Sequence, residues 1–308
     1  MAGLILDEVD LRILNSLARN SRLSYAKIAK SLNLTTKSIK TRVDKMLNEK
    51  VISRFIMFIE PALLGYNTTC TLVVKRNNLS HGLSDKIDLV GDIIYRFSIL
   101  GGVEGIVICT RDSSEDKLSL LLDMVKSSTI GTLIQKHPDP KLNFKLTELD
   151  YEIIKYLLQD PRIEISELAN KSGLSTKFVH RRLQKIQDNR LLRFTILPNP
   201  TTINGQIIFY MEIKVDPRYY QSVFESAFNR THNCLVLSLT PHHQQEIIGL
   251  ILSSENSFKI ELMRSEMESM MGVKESNIYF PIKLEYNVEP LLKSIERQLY
   301  KKRINKKT

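Results

Sequence analysis

Apolar residues recur at Val9, Ile13 and Leu17, a spacing of four that marks one stripe of a helix. Asp7 is placed to cap that helix and Asp10 falls in its first turn. A second helix is predicted over 24–32, with Tyr25, Ile28, Ala29 and Leu32 facing inward; the small Ala29 lets the next helix cross closely. After the short turn Asn33-Leu34, Thr35 opens a third helix over 35–49 whose buried stripe is Ile39, Val43, Met46 and Leu47. A β-rich run over 51–58 follows and predicts a wing.

This arrangement is written twice. Leu6-Asp7-Glu8-Val9-Asp10 returns as Leu146-Thr147-Glu148-Leu149-Asp150, and the offset of 140 holds without a gap to about Arg54/Phe194. Equivalent positions include Arg22/Arg162, Ala29/Ala169, Leu34/Leu174, Arg42/Arg182 and Lys45/Lys185. In the second copy Thr147 and Asp150 form a capping box with Asp in place of the usual Glu. Ile165, Leu168 and Ala169 face inward, and the turn is Gly173-Leu174. Ser175 opens a helix over 175–189 with Val179, Leu183 and Ile186 buried, and a strand over 191–197 supplies the second wing. A chain that repeats one supersecondary unit is read as a duplication.

With about 100° per residue, the exposed face of the first third helix is centred on Lys37, Thr41, Asp44 and Asn48, flanked by Ser38 and Lys45. In the second copy this face carries Lys177, Arg181, Gln184 and Asp188, flanked by Phe178 and Lys185. Of the 308 residues 43% are hydrophobic and 25% charged, an ordinary globular balance, but the net charge is +10. The excess charge favours a polyanionic partner, and on the third helix of a repeated helix-turn-helix that partner is double-stranded DNA. Lys37, Thr41 and Lys45 are expected to reach bases or nearby phosphates, with Ser38 beside them. Arg181 is suited to guanine O6/N7 and Gln184 to adenine N6/N7, with Lys177, Phe178, His180 and Lys185 completing the second surface. Lys40, Arg42, Arg54, Arg182 and Arg193 lie toward the flanks or the wing, where they would hold phosphates and set register. For Arg42 and Arg182 a surface ion pair within the domain is the equal alternative.

The N-terminus has neither the basic start nor the apolar stretch of a signal peptide, and the apolar runs are too short to span a bilayer, so a cytoplasmic location is expected and no membrane partner. Cys70, Cys109 and Cys234 show no disulfide or metal spacing and read as buried thiols. His81, His137 and His180 are dispersed, and no nucleophile motif, paired-carboxylate site or phosphate loop is evident. Neither a metal, a cofactor nor a catalytic residue is expected.

Leu6 to Leu14, Leu34-Thr35-Thr36-Lys37-Ser38-Ile39 with Arg42-Val43, Val51-Ile52 and Pro61-Ala62-Leu63-Leu64-Gly65-Tyr66 resemble the N-terminal half of the leucine-responsive/asparagine-regulator (Lrp/AsnC) transcription factors. The resemblance covers the first 66 residues and, less closely, 146–196. It implies an α+β fold in which each winged helix-turn-helix is followed by a ferredoxin-like βαββαβ domain that dimerises and often senses amino acids. Compatible segments are strands at 69–75, 93–100, 104–110 and 132–135 with helices at 80–90 and 114–126. In the second copy they are 207–215, 234–239, 246–252 and 278–284 with helices at 219–228 and 257–270. The expected division is 1–60, 61–145, 146–200 and 201–288, closed by a helix at 289–300 and a flexible basic tail from Lys301 that the first half lacks. An amino-acid effector would be met at the Gly101-Gly102 turn, a hairpin signal.

The chain departs from the family in carrying two units. The glycine usually found before the Val-Ile pair is Lys50 here and Arg190 in the second copy, so a different loop into the wing is expected. Pro241-His242-His243 replaces the glycine turn of the second sandwich. The two reading faces are unlike, Thr41 against Arg181 and Asp44 against Gln184. A single chain acting as an internal pseudo-dimer would then prefer unlike half-sites roughly 34 Å apart, while pairing of two chains as a homodimer is the other possibility. The rival reading is enzymatic, because fused pairs of such units also form decarboxylases that act on sirohaem. Thr231-His232-Asn233-Cys234 faintly resembles their histidine-bearing strand, but the Tyr and Arg expected after that histidine are absent.

Overall fold

The computed structural model describes residues 3–76, 83–111, 115–137, 146–189, 191–230, 237–238 and 246–304. The first half contains β1 (Leu4–Ile5), α1 (Glu8–Arg19), α2 (Tyr25–Leu32), α3 (Thr36–Asn48) and β2 (Ile52–Ile59). After a 3-10 turn at Pro61–Leu64 come β3 (Thr68–Lys75), α4 (Leu83–Asp88), β4 (Asp92–Ile99), β5 (Val103–Thr110), α5 (Glu115–Val125) and β6 (Thr129–Lys136). The second half repeats this as α6 (Glu148–Gln159), α7 (Ile165–Ser172), α8 (Thr176–Asp188), β7 (Leu192–Pro198) and a short β8 (Ile203–Asn204). Then follow β9 (Ile207–Val215), α9 (Tyr220–Arg230), β10 (Leu237–Ser238), β11 (Ile247–Ser254), α10 (Ser257–Glu268), β12 (Val273–Tyr279), β13 (Pro281–Tyr286) and α11 (Glu289–Ile304). Each helix of the first helix-turn-helix starts and stops 140 positions before its counterpart, Thr36–Asn48 against Thr176–Asp188 for the third.

Both sandwiches contain the sheet order of a ferredoxin-like fold, β10-β11-β9-β12 in the second and β4-β5-β3-β6 in the first, where β13 adds a fifth strand beside β4. Strand periodicity sets their cores. Cys70, Leu72 and Val74 of β3 and Ile106 and Ile108 of β5 point to one side, where Ile87 of α4 and Leu118, Leu121 and Val125 of α5 cover them. In the second sandwich Phe209, Met211 and Ile213 of β9 and Ile248, Leu250 and Leu252 of β11 meet Val223 and Ala227 of α9 and Ile260 and Met267 of α10. The β4–β5 hairpin turns at Gly101 and Gly102, whose φ values of 91° and 75° suit glycine.

The contacts group the chain into two compact units that cut across the repeat. One unit holds Met1–Phe55 with Phe194–Lys283, the other Ile56–Arg193 with Leu284–Thr308. Each thus contains one helix-turn-helix and the sandwich of the other repeat. In the first, β1 pairs in parallel with β8, the Thr195 hydroxyl donates to the Ala18 carbonyl at 2.7 Å, and Ser21 N–H donates to Phe194 O at 3.2 Å. In the second, the Tyr151 hydroxyl of α6 donates to Leu63 O at 2.8 Å, and α11 lies along α6 with Lys155 bonded to Glu296 at 2.9 Å.

The β-rich runs expected after α3 and α8 are the strands β2 and β7, neighbours in one two-stranded sheet. Three expectations are corrected. The strand expected at 278–284 is two strands, because Pro281 has no N–H to continue the ladder and instead opens β13. The basic tail is helical as far as Ile304, where Arg303 reaches Glu148 at 3.0 Å and Glu152 at 3.2 Å. Finally, the loop at Lys50 keeps the left-handed backbone a glycine would take, with φ of 61°. Arg190 lies outside the described residues.

Candidate nucleic-acid interface

In the first helix-turn-helix, side chains fix where each helix begins. Asp7 accepts from Asp10 N–H at 2.8 Å and Asp10 accepts from Asp7 N–H at 3.3 Å, a reciprocal capping box. Ser24 caps α2, which ends on Asn33 in the left-handed region at φ 55°. Thr35 Oγ1 accepts from Ser38 N–H at 3.1 Å and opens α3. That helix buries Ile39, Val43 and Met46 completely. Lys37, Lys40, Thr41, Asp44, Lys45 and Asn48 are exposed and Ser38 is half-buried. The open face of α3 therefore carries the residues expected there.

The second copy is built alike. Thr147 and Asp150 form the capping box of α6, Gly173 ends α7 at φ 67°, and Ser175 Oγ accepts from Phe178 N–H at 3.2 Å to open α8. Val179, Leu183 and Ile186 are buried, while Lys177, His180, Arg181, Gln184, Lys185 and Asp188 are exposed. Phe178 is half-buried, and the Arg181 guanidinium sits 5.8 Å from its ring centroid. This stacking is a cation–π contact that steadies Arg181.

Two of the arginines expected near phosphates make ion pairs within their domains. Arg42 donates to Asp7 Oδ2 and Asp10 Oδ1, each at 2.7 Å, and so ties α3 to the start of α1. Arg182 makes the equivalent tie with two bonds to Asp150, one of them Nε to Oδ1 at 2.7 Å; the Asp150 side chain is wholly buried. The ion-pair alternative holds at both positions. Burial of Asp7 works to raise its carboxyl, but the Asp10 N–H and the Arg42 guanidinium outweigh it and hold the group below its usual range. Arg193 is half-buried with its guanidinium 4.9 Å from the Phe58 ring centroid. Arg54 is exposed on β2.

The pattern of the AsnC-type helix-turn-helix domain matches residues 6–47 and 146–187. The HTH-type transcriptional regulator FL11 of Pyrococcus furiosus is 25% identical over 124 residues, 40% of this chain and 82% of that protein. An uncharacterized HTH-type transcriptional regulator of the same organism, PF1734, is 32% identical over 118 residues, 36% of this chain and 76% of its own length. The chain belongs to the Lrp/AsnC family of transcription regulators. Its tandem fold is also shared by the siroheme decarboxylase NirDL, with a TM-score of 0.50 at 12% identity over 98% of this chain and 100% of that one. This likeness is one of fold.

Other chemistry in this Lrp/AsnC protein is quickly placed. Cys70 and Cys109 are buried thiols, as expected, and burial pushes them up to about 11 and about 12. Cys234, His232, His242, His243 and His81 lie outside the described residues. Among the described residues no cluster of three or more metal-ligating side chains occurs, and no helix is long and apolar enough to cross a membrane. His137, one of the dispersed histidines of the sequence, is buried, with Nε2 2.6 Å from Thr69 Oγ1 and Nδ1 3.4 Å from Glu60.

Proposed function

We propose that this regulator reads double-stranded DNA with α3 and α8, each laid in a major groove, and that the two helices read different sequences. One observation carries the proposal: each helix is capped at its start, buries its aliphatic stripe, and turns lysine, arginine and hydrogen-bonding side chains outward on the opposite face. Lys37, Lys40 and Lys45 would hold phosphates or nearby bases around Thr41, and Arg54 the phosphates beside them. Lys177, His180 and Lys185 would do so around Arg181 and Gln184. Each bidentate base contact contributes about 1–3 kcal/mol of discrimination. An amino acid bound near the Gly101-Gly102 turn would act as effector. With two helices in one chain, a single chain could occupy an asymmetric site as a pseudo-dimer; two chains pairing copy with copy is the other arrangement.

Anisotropy titration of genomic duplexes at several salt concentrations tests this. The affinity should fall steeply with salt, and neutralising Lys177 and Lys185 together should lower the slope of log affinity against log salt by about two. Binding that ignores both salt and these substitutions would end the reading. The NirDL-like fold supplies a second reading, a tetrapyrrole enzyme, and its probe is simple. Addition of an iron tetrapyrrole to the purified protein should leave the visible absorbance unchanged if the chain is a regulator without enzymatic activity.

A further inference from the structure

The C-terminal helix α11 borders a small, half-open cavity of about 230 Å³ within the second unit, lined by Leu64, Gly65, Arg111, Arg297, Gln298, Tyr300 and Lys301. Three of these residues are cations and none is a carboxylate. Arg111 is held rigidly: its guanidinium lies 4.2 Å from the Tyr66 ring centroid, donates to Asp92 at 3.1 Å and to Ser294 Oγ at 2.7 Å. Asp92 balances its charge. Arg297 and Lys301 are exposed one helical turn apart, and among the described residues neither has an acidic partner. By contrast Lys293, on the same helix, pairs with Glu289 at 3.7 Å, and Arg303 with Glu148 and Glu152. The backbone leaves the cavity open at Gly65, whose φ is 79° and where any Cβ would lie 2.6 Å from Gln298 Nε2.

Two unbalanced cations beside an anchored guanidinium, with an amide and a phenol in the same wall, make a site rich in donors. It matches an anion with two charges and several acceptor oxygens. We infer that this cavity binds a small phosphate-bearing dianion, held by Arg297 and Lys301 and oriented by Arg111. The same helix is tied to α6 of the second helix-turn-helix through Glu296 and Arg303. The inference goes beyond DNA reading and does not depend on it.

Calorimetric titration of inorganic phosphate into the full chain, at neutral pH and constant ionic strength, tests it. Saturable binding of one phosphate per chain is expected, weakened about tenfold or more in the Arg297→Gln/Lys301→Gln double variant and unchanged in Lys293→Gln. Because both substituted residues are exposed, the double variant should keep the wild-type circular dichroism melt, which separates lost binding from lost folding. Absence of saturable heat, or equal binding by wild type and double variant, overturns the inference. So does displacement of phosphate by duplex DNA with a matching loss of duplex affinity in the double variant, since the cations would then belong to the nucleic-acid footprint.

Discussion

Arg42 and Arg182 sit at equivalent positions on the two third helices, yet their environments give different weights to the same tie. Asp150 is fully buried against Arg182, whereas Asp7 is about half exposed beside Arg42. Removing one partner of a buried pair leaves a desolvated charge, so Asp150→Ala should cost about 3 kcal/mol of stability in urea denaturation. Arg42→Ala should cost within about 1 kcal/mol, and neither change should alter the salt slope of DNA binding beyond its effect on folding. Asp7 adds a pH test. Its folded-state carboxyl is lowered, so its contribution is present above the ordinary carboxylate range and is lost as pH falls through the lowered value. The stability gap between wild type and Asp7→Asn should therefore be open near neutrality and close in acid. Lys50 is a further local case: its left-handed backbone strains a side chain with a Cβ, and Lys50→Gly should stabilise by about 0.5–1 kcal/mol. A lower melting temperature in that variant would contradict the strain argument. Sequence alone could not decide the roles of Arg42 and Arg182, because one spacing serves an internal pair and a phosphate contact equally.

The helices were legible because their signals are local. Caps at Asp7, Thr35, Thr147 and Ser175 and stripes such as Ile39-Val43-Met46 specify both ends and the inward face without reference to the rest of the chain. Strands declare themselves through alternation but do not name their partners, so β2 and β7 were legible as strands while their pairing with one another was not. The difference between the two reading helices makes a direct prediction. Arg181→Thr with Gln184→Asp gives α8 the Thr41 and Asp44 chemistry of α3, so sites selected from random duplexes should move toward a palindrome. If wild type and variant select the same sequences, the side chains at these positions do not read bases.

The repeat was visible from the first ten residues of each half, but the grouping of the folded chain was not, because two near-identical scaffolds offer each helix-turn-helix two similar sandwiches to pack on. The long-range contacts resolve the choice: residues 1–55 pack with 194–283, and 56–193 with 284–304. Each sandwich keeps its own apolar core, drawn from one half of the sequence alone. Each helix-turn-helix, however, is fastened by elements of the other half: Ala18 and Ser21 to Thr195 and Phe194 in one unit, Tyr151 to Leu63 in the other. Cutting the chain between residues 137 and 146 should thus leave two fragments that fold in their sandwich segments but hold their helix-turn-helix loosely, each melting over a broad range. Mixed together, the fragments should elute as one species on gel filtration and recover a single cooperative transition, because every severed tie can re-form between them. Two separate, sharply melting fragments that ignore one another would mean that the halves are independent tandem domains and that the cross-repeat packing contributes nothing.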